Sequence, residues 1–514
     1  MKRKFKISIA SAEMVPFAKV GGLGDVVGSL SKKLATMGHE VRVFLPRYGS
    51  IKAKEHGLRK VRLPEGMSLN IGGVEGEILL WQSRAKGSSA KVYFVGNDHL
   101  FSREGIYGDP VTHEDYQDNG LRFTFFCKAI LELHKALGLE TDVLHCNDHQ
   151  TALIPLLLRR DYSGEPTLSN AGTLFTIHNM GYQGVYPLDI LEQTGLPEDL
   201  AYPMGPLEFW GKLNFMKSAI VYSDVISTVS ETYAKEIQSG EEFGFGLEGS
   251  LKARSEDLFG VLNGVDYTAW NPARDRHIPH KYSASDWGGK LKNKLYLIEK
   301  EKLTQLSEKS FLLGVVSRLA DQKGFDLLQS IVEEMLSKDL GLVLLGAGQQ
   351  KYHEYFLALR SKYPGKVSVS LKFSEKLAHL IEAASDAFLM PSKYEPCGLN
   401  QMYSMKYGSI PIVRYTGGLA DTVEEFEPAS GSGTGFVFHG YTPAALMEAV
   451  TRAYDTYQDK QQWSRLVKNA MEADFSWRRS AQGYVELYKR AIERKTSGPF
   501  ASWVDALAEG AVGR

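Results

Sequence analysis

Three segments of the 514-residue chain follow apolar, strand-like runs and carry groups suited to an anionic ligand. The first is Lys19-Val20-Gly21-Gly22-Leu23-Gly24-Asp25. Its glycines let backbone approach a ligand closely, and the helix that follows offers N–H groups and the positive end of its dipole. Lys19 adds a charge, although a tight loop with a solvated lysine reads the same way. The second, Ser317-Arg318-Leu319-Ala320-Asp321-Gln322-Lys323-Gly324, places two cations at the edge where open α/β sheets bind ligands. Fixed cations there suit a diphosphate leaving group, whose negative charge grows as its bond breaks. The third, Tyr415-Thr416-Gly417-Gly418-Leu419, repeats strand, glycine turn and helix. No Asp-x-Asp and no His-Glu-x-x-His occurs, so a diphosphate enzyme built this way neutralises charge with Lys, Arg and helix ends rather than a metal clamp.

Pro391-Ser392-Lys393-Tyr394-Glu395-Pro396-Cys397-Gly398-Leu399 holds a carboxylate, Glu395, that could take sugar hydroxyls or face a developing positive charge. Cys397 reads as a small packed residue. His145-Cys146-Asn147-Asp148-His149-Gln150 and His178-Asn179 also follow strand-like runs and suit hydroxyl recognition, though a lone histidine of this kind is more often structural. A dinucleotide fingerprint fails twice. The third glycine, Gly28, falls one residue late, and the second strand ends Leu45-Pro46-Arg47 without an acid for a ribose.

These groups need elements to position them. Apolar runs predict strands over 6–10, 41–45, 91–95, 142–145, 173–177 and 225–229, with helices over 25–37 and from 119 to about 137. A second series follows: strands over 312–316, 342–345, 367–371, 387–390 and 410–413, and a helix from about 325. Alternating buried strands and helices predict parallel sheets covered on both faces. The stretch 271–310 reads as polar and irregular, and 481–514 as helical to about 493, then Gly/Ala-rich.

Composition narrows the function class. Lys+Arg 60 against Asp+Glu 61 gives a net charge of −1, which argues against a nucleic-acid surface. With 43% hydrophobic and 24% charged residues, the chain is expected to be globular. Three cysteines form no disulfide framework, which fits a reducing compartment. The run behind Lys2-Arg3-Lys4 is too short and polar for a signal peptide, and no window is apolar enough for a membrane span. A cytoplasmic enzyme without a membrane partner is the expectation.

Taken together, the motifs resemble the bacterial glycogen synthases and plant starch synthases. The resemblance runs almost end to end, through Ala12-Glu13-Met14, Lys19-Val20-Gly21-Gly22-Leu23, His178-Asn179, Leu262-Asn263-Gly264-Val265-Asp266, Ser317-Arg318, Gln322-Lys323-Gly324, Glu395-Pro396-Cys397-Gly398-Leu399 and Thr416-Gly417-Gly418-Leu419. It implies an α/β fold of two Rossmann-like domains facing across a cleft, the GT-B architecture: 1–255, 256–480, and a C-terminal helix and tail, 481–514, crossing back to the first. It implies retaining transfer of glucose from ADP-glucose to the non-reducing end of an α-1,4-glucan, with no cofactor and no metal. By position, Lys19, Arg318, Lys323 and the amides of Gly21, Gly22, Gly417 and Gly418, with Thr416 beside them, would hold the diphosphate. His178, Asn263, Glu395 and the Cys397-Gly398-Leu399 turn would hold the donor glucose. Glu13, Tyr107 and Asp148 would line the acceptor side. His178, Glu395, Arg318, Lys323 and Lys19 would carry the chemistry. Three positions depart from relatives: Val20 stands where many have threonine, His149 where many have tryptophan, and Tyr403 where a related retaining pattern has a second glutamate. Rival expectations are a nucleotide-dependent oxidoreductase, a phosphorylase with a pyridoxal phosphate lysine, and a non-catalytic glucan-binding protein, which need not keep three donor-side cations.

Overall fold

The computed structural model describes residues 3–112, 114–372 and 374–497. The expected Gly/Ala-rich tail beyond 497 lies outside the described residues. The chain forms two units. The first takes the chain up to Val229, then Ala234–Gly264, then the chain from Trp477 on; the second takes Ser230–Tyr233 and Val265–Ser476.

The first unit is built on a nine-stranded sheet. Its strands are β1 (Lys6–Ala10), β2 (Glu40–Pro46), β3 (Arg59–Lys60), β4 (Leu79–Arg84), β5 (Lys91–Gly96), β6 (Val143–Asn147), β7 (Gly172–Ile177), β8 (Val225–Thr228) and β9 (Leu258–Gly260). Their spatial order is β9-β8-β7-β6-β1-β2-β5-β4-β3. From β9 to β5 the pairing is parallel, and β4 and β3 are antiparallel. The expectation of a wholly parallel sheet is corrected at this edge: the link between β4 and β5 is too short for a crossover, so the chain turns back as a hairpin. Helices α1 (Gly22–Thr36) and α2 (Asn119–Ala136) connect strands as predicted, but α1 starts about one turn early. Because β9 pairs with β8, the first unit runs to Gly264, past residue 255.

The second unit has six parallel strands: β10 (Phe311–Val316), β11 (Leu340–Leu345), β12 (Val367–Ser370), β13 (Ala387–Met390), β14 (Ile410–Arg414) and β15 (Phe436–Phe438). They are ordered β12-β11-β10-β13-β14-β15. The helices that matter below are α3 (Gly288–Lys300), α4 (Phe325–Leu336), α5 (Glu375–Ala384), α6 (Asn400–Lys406) and α7 (Gly417–Thr422). Leu312, Val343, Ile381 and Phe388 are fully or almost fully buried in one core where sheet meets α5. Helix α3 corrects the irregular reading of 271–310.

The last helix, α8 (Trp477–Ser497), packs on the first unit. Ala481, Tyr484, Tyr488 and Ala491 are buried at helical spacing. Gly172 of β7 permits this contact: a Cβ there would meet the Ala491 carbonyl carbon at 2.5 Å. The Tyr488 hydroxyl bonds His145 Nδ1 at 3.0 Å. Among the described residues, no helix is long and apolar enough to cross a membrane.

Candidate active site

Each sheet has a point where successive crossovers leave in opposite directions, and there the loops at the C-terminal strand ends part to leave a crevice. In the first unit this point lies between β1 and β6. Glu13 follows β1, Asp148 follows β6 and His178 follows β7, so three neighbouring strands set three of the expected residues side by side.

Glu13 is buried and organises the glycine loop. Its Oε2 accepts the N–H groups of Val20 (2.6 Å) and Gly21 (2.9 Å), and its Oε1 accepts the Tyr107 hydroxyl at 2.7 Å. The carboxylate therefore sits at the N-terminus of α1, where the dipole favours it, and replaces the side-chain cap that Gly21 cannot supply. This explains the early start of α1. It also corrects the reading of Gly21 as an open anion donor, since its amide is already bonded. Lys19 is paired with Asp25 at 2.7 Å. Gly22 opens the helix, and Val20 is 58% exposed.

Asp148 has φ +55°, a strained value for a residue with a side chain. Its Oδ1 accepts the His178 N–H at 2.7 Å. Burial, helped by the Glu13 charge, pushes its carboxyl up to about 7. His178 Nε2 lies 2.9 Å from Asn147 Oδ1, an acceptor, so Nε2 carries the proton in this pairing. Asn147 is locked in turn by donating to the Ala10 carbonyl at 3.1 Å. Burial lowers His178 to about 3, so the ring is neutral. The sequence does not mark Asn147 as the residue that orients His178, because an amide beside a charged neighbour carries no signal of its own. His145 is structural, held by Thr176 and Tyr488. His149 donates from Nδ1 to the Tyr182 carbonyl at 3.0 Å and meets Phe123 edge-on. Asn263, just past β9, is buried, and its Oδ1 has no partner among the described residues.

In the second unit the corresponding point lies between β10 and β13. Arg318 follows β10 and is exposed; Glu395 follows β13; the Thr416-Gly417-Gly418 turn follows β14. Lys323, in the turn before α4, pairs with Glu395 Oε2 at 2.5 Å, and the same oxygen accepts the Ser392 hydroxyl at 3.0 Å. Glu395 is buried, and so are Cys397 and Thr416. Gly398 takes φ +69° in the turn, and Leu399 leads into α6. Gly417, at φ +44°, lies against the Glu395 carbonyl, which a Cβ would meet at 2.0 Å. The Gly418 amide points to the carbonyls of Glu395 (3.1 Å) and Pro396 (3.2 Å). The glycine turn thus packs two loops together, and the Gly418 amide is bonded within the protein. Sequence reasoning missed the short Ser230–Tyr233 segment of this unit: Ser230 donates to the Pro396 carbonyl at 2.7 Å, and Thr232 N–H donates to Asp421 at 3.0 Å.

Comparison with known proteins agrees with this layout. The starch synthase catalytic domain family matches residues 6–253, and glycosyl transferases group 1 matches residues 298–470. The chain is 46% identical over 492 residues to the glycogen synthase of Thermotoga maritima, covering 95% of this chain and 99% of that one. It is 42% identical over 496 residues to the glycogen synthase of Koribacter versatilis, covering 96% and 99%. Among solved structures, the catalytic domain of starch synthase IV from Arabidopsis thaliana, bound to ADP and acarbose, superposes with a TM-score of 0.86 at 35% identity, over 96% of this chain and 100% of that one. Sucrose-phosphate synthase from Thermosynechococcus elongatus shares the fold, with a TM-score of 0.58 at 16% identity, over 95% of this chain and 99% of that one. By full-length identity and by matched domains, the chain belongs to the glycogen synthase and starch synthase family of two-domain, GT-B glucosyltransferases.

Proposed function

We propose that this chain transfers glucose from ADP-glucose to the non-reducing end of an α-1,4-glucan, with retention at the anomeric carbon and release of ADP. The observation that carries this reading is the pair of strand-end clusters at the two switch points. One holds a neutral histidine and two carboxylates, and the other holds two cations and a carboxylate.

Arg318 and Lys323 take the diphosphate and stabilise the charge that builds on it. Lys323 starts out on Glu395, and an arriving anion competes for it. Glu395 keeps its place meanwhile, because Ser392 still bonds it. A carboxylate held there faces the oxocarbenium-like sugar as the bond from C1 to phosphate oxygen breaks. The acceptor hydroxyl forms the new C1–O bond on the face the leaving group vacates and passes its proton to the departing phosphate. No covalent sugar–enzyme bond is required, so the two-carboxylate scheme of retaining glycosidases is not invoked. His178, neutral, bonds sugar hydroxyls without adding repulsive charge. Lys19, Gly22, Asn263, Thr416, Gly417 and the Cys397-Gly398-Leu399 turn complete the donor site, and Glu13, Tyr107 and Asp148 shape the acceptor side. Charge is neutralised by these groups, so transfer needs no metal and no cofactor.

The test is nucleotide diphosphate release from ADP-glucose and from UDP-glucose, with and without glycogen. Release is expected to depend on the glucan, to be faster with ADP-glucose and to survive a chelator. Faster turnover with UDP-glucose overturns the base assignment. Loss of activity in the chelator, restored by Mg²⁺, overturns the metal-free scheme.

A further inference from the structure

The second unit holds a cluster, on elements that carry none of the residues used above, with the composition of a transition-metal site. We propose that His277, Glu375 and His379 bind one divalent ion of the zinc type. Glu375 and His379 stand four residues apart on α5, which puts both side chains on one helix face. His277 comes from the loop before α3. One ligating atom from each residue lies within 4.8 Å of the other two. Metal bonds of about 2.1 Å at tetrahedral angles require ligand atoms ~3.4 Å apart. The residual ångström or so is within reach of Glu375, which is exposed and in the first turn of its helix.

The surroundings independently favour an ion. His379 Nδ1 lies 2.7 Å from the buried carboxylate of Asp275. A carboxylate only accepts, so Nδ1 carries a proton, and in the neutral ring the lone pair is on Nε2. A carboxylate fixing the far nitrogen of a ligating imidazole is the usual outer shell of a zinc histidine. Asp275 is itself fixed by the Tyr407 hydroxyl at 2.6 Å and the His277 N–H at 2.8 Å. Trp270 stacks on the His379 ring at 3.8 Å and 9°, which sets the ring plane. His277 Nε2 is 4.0 Å from the Glu375 carboxylate. It also accepts a bond from Arg276 Nε at 3.2 Å, so it too presents a lone pair, and the exposed Arg276 swings aside when an ion enters. Two imidazoles and a carboxylate suit zinc; magnesium and calcium select oxygen ligands. The charges of Glu375 and Asp275 balance a divalent ion. A bound ion would tie the loop before α3 to α5 and leave a fourth position for water.

The test uses the full chain, freed of metal, with Zn²⁺ titrated against a chromogenic chelator. One equivalent of Zn²⁺ is expected to be held by the protein. His277→Ala and Glu375→Gln should each weaken binding at least tenfold, since each removes a ligand. Glu375 is exposed and His277 half-buried, so thermal unfolding of metal-free Glu375→Gln should match the parent and that of His277→Ala should fall little, which separates loss of a ligand from loss of fold. Co²⁺ should give the visible bands of a four-coordinate site in the parent and not in either variant. Absence of stoichiometric uptake by the parent, or a smaller loss in either variant, overturns the proposal. Metal binding is read directly, so the result is independent of the glucosyl transfer reading.

Discussion

Lys323 is bonded to a carboxylate in this structure, and that changes what its removal should do. Its ammonium exchanges Glu395 for a diphosphate, so the net gain is largest where the leaving group is most charged. Lys323→Ala and Arg318→Ala are therefore expected to lower kcat by roughly 10²–10³-fold with smaller effects on KM. A raised KM with kcat unchanged, measured by steady-state kinetics with ADP-glucose, would assign the residue to ground-state binding only. Glu13 makes a different prediction. It accepts three bonds, two from backbone N–H groups of the loop that carries Lys19. Glu13→Ala leaves those donors without their acceptor and should cost about 2–4 kcal/mol of stability as well as activity, read by urea unfolding beside kinetics. Tyr107→Phe removes one of the three bonds and should lie between parent and Glu13→Ala in stability.

At the scale of elements, the first unit holds four histidines along its sheet and flanking helix, His134 and His145 buried and His149 and His178 half-buried. Burial lowers His134 and His149 to about 4 and His145 and His178 to about 3. An unfolded chain protonates these rings near 6.5, so between about pH 6.5 and 4 it binds up to four more protons there than the folded chain does. Stability falls as pH falls through that window. Asp148 works in the opposite sense, because its raised carboxyl keeps a proton in the folded chain that the unfolded chain releases. The four rings outnumber the one carboxyl, so the net effect is a loss of stability on acidification, steepest near pH 5. Urea unfolding across this range should show it, and His149→Gln should make the pH dependence shallower. A flat or rising stability on acidification would contradict the burial of these rings. The elements themselves were legible where their buried face is apolar: β1, β7, β11 and α4 fall within a few residues of the predicted positions. Helix α3 was not, because its buried face carries Lys290, Asn293 and Lys294 with Leu297. Lys294 reaches Asp386 at 2.6 Å and Lys290 bonds the Tyr407 carbonyl at 3.1 Å, so the face is satisfied by polar partners that apolar periodicity cannot detect. The site was legible as residue types at strand ends, while its wiring was not. Glu13 grips the glycine loop only seven and eight residues on, but a carboxylate that bonds backbone N–H groups leaves no mark in a sequence, and that Tyr107 braces Glu13 and Asn147 orients His178 depends on contacts between segments far apart in the chain.

At the scale of the whole molecule, the two units are unequal in how the chain builds them. The second is nearly one continuous stretch, Val265–Ser476, and where the chain enters and leaves it the backbone is paired: Val265 N–H donates to the Phe475 carbonyl at 2.7 Å. Adjacent termini and a six-stranded sheet with its own core are the marks of a domain that folds alone. The fragment 265–476 is therefore expected to unfold cooperatively by itself, at a lower midpoint for want of Ser230 and Thr232. The first unit instead borrows its last helix from the far end of the chain. Tyr484, Leu487 and Tyr488 of α8 are buried on it. At about 1.5–3 kcal/mol for each of the three large side chains, their removal forfeits roughly 4.5–9 kcal/mol. That is of the order of a domain's total stability, about 5–15 kcal/mol. A chain ending at Ser476 should accordingly lose the first unit while keeping the second. Limited proteolysis followed by mass spectrometry would find residues up to 229 degraded and 265–476 protected, and calorimetry would find one transition where the intact chain has more heat to absorb. Equal protection of both units in the shortened chain would mean that α8 is an ornament of the first sheet rather than part of its core.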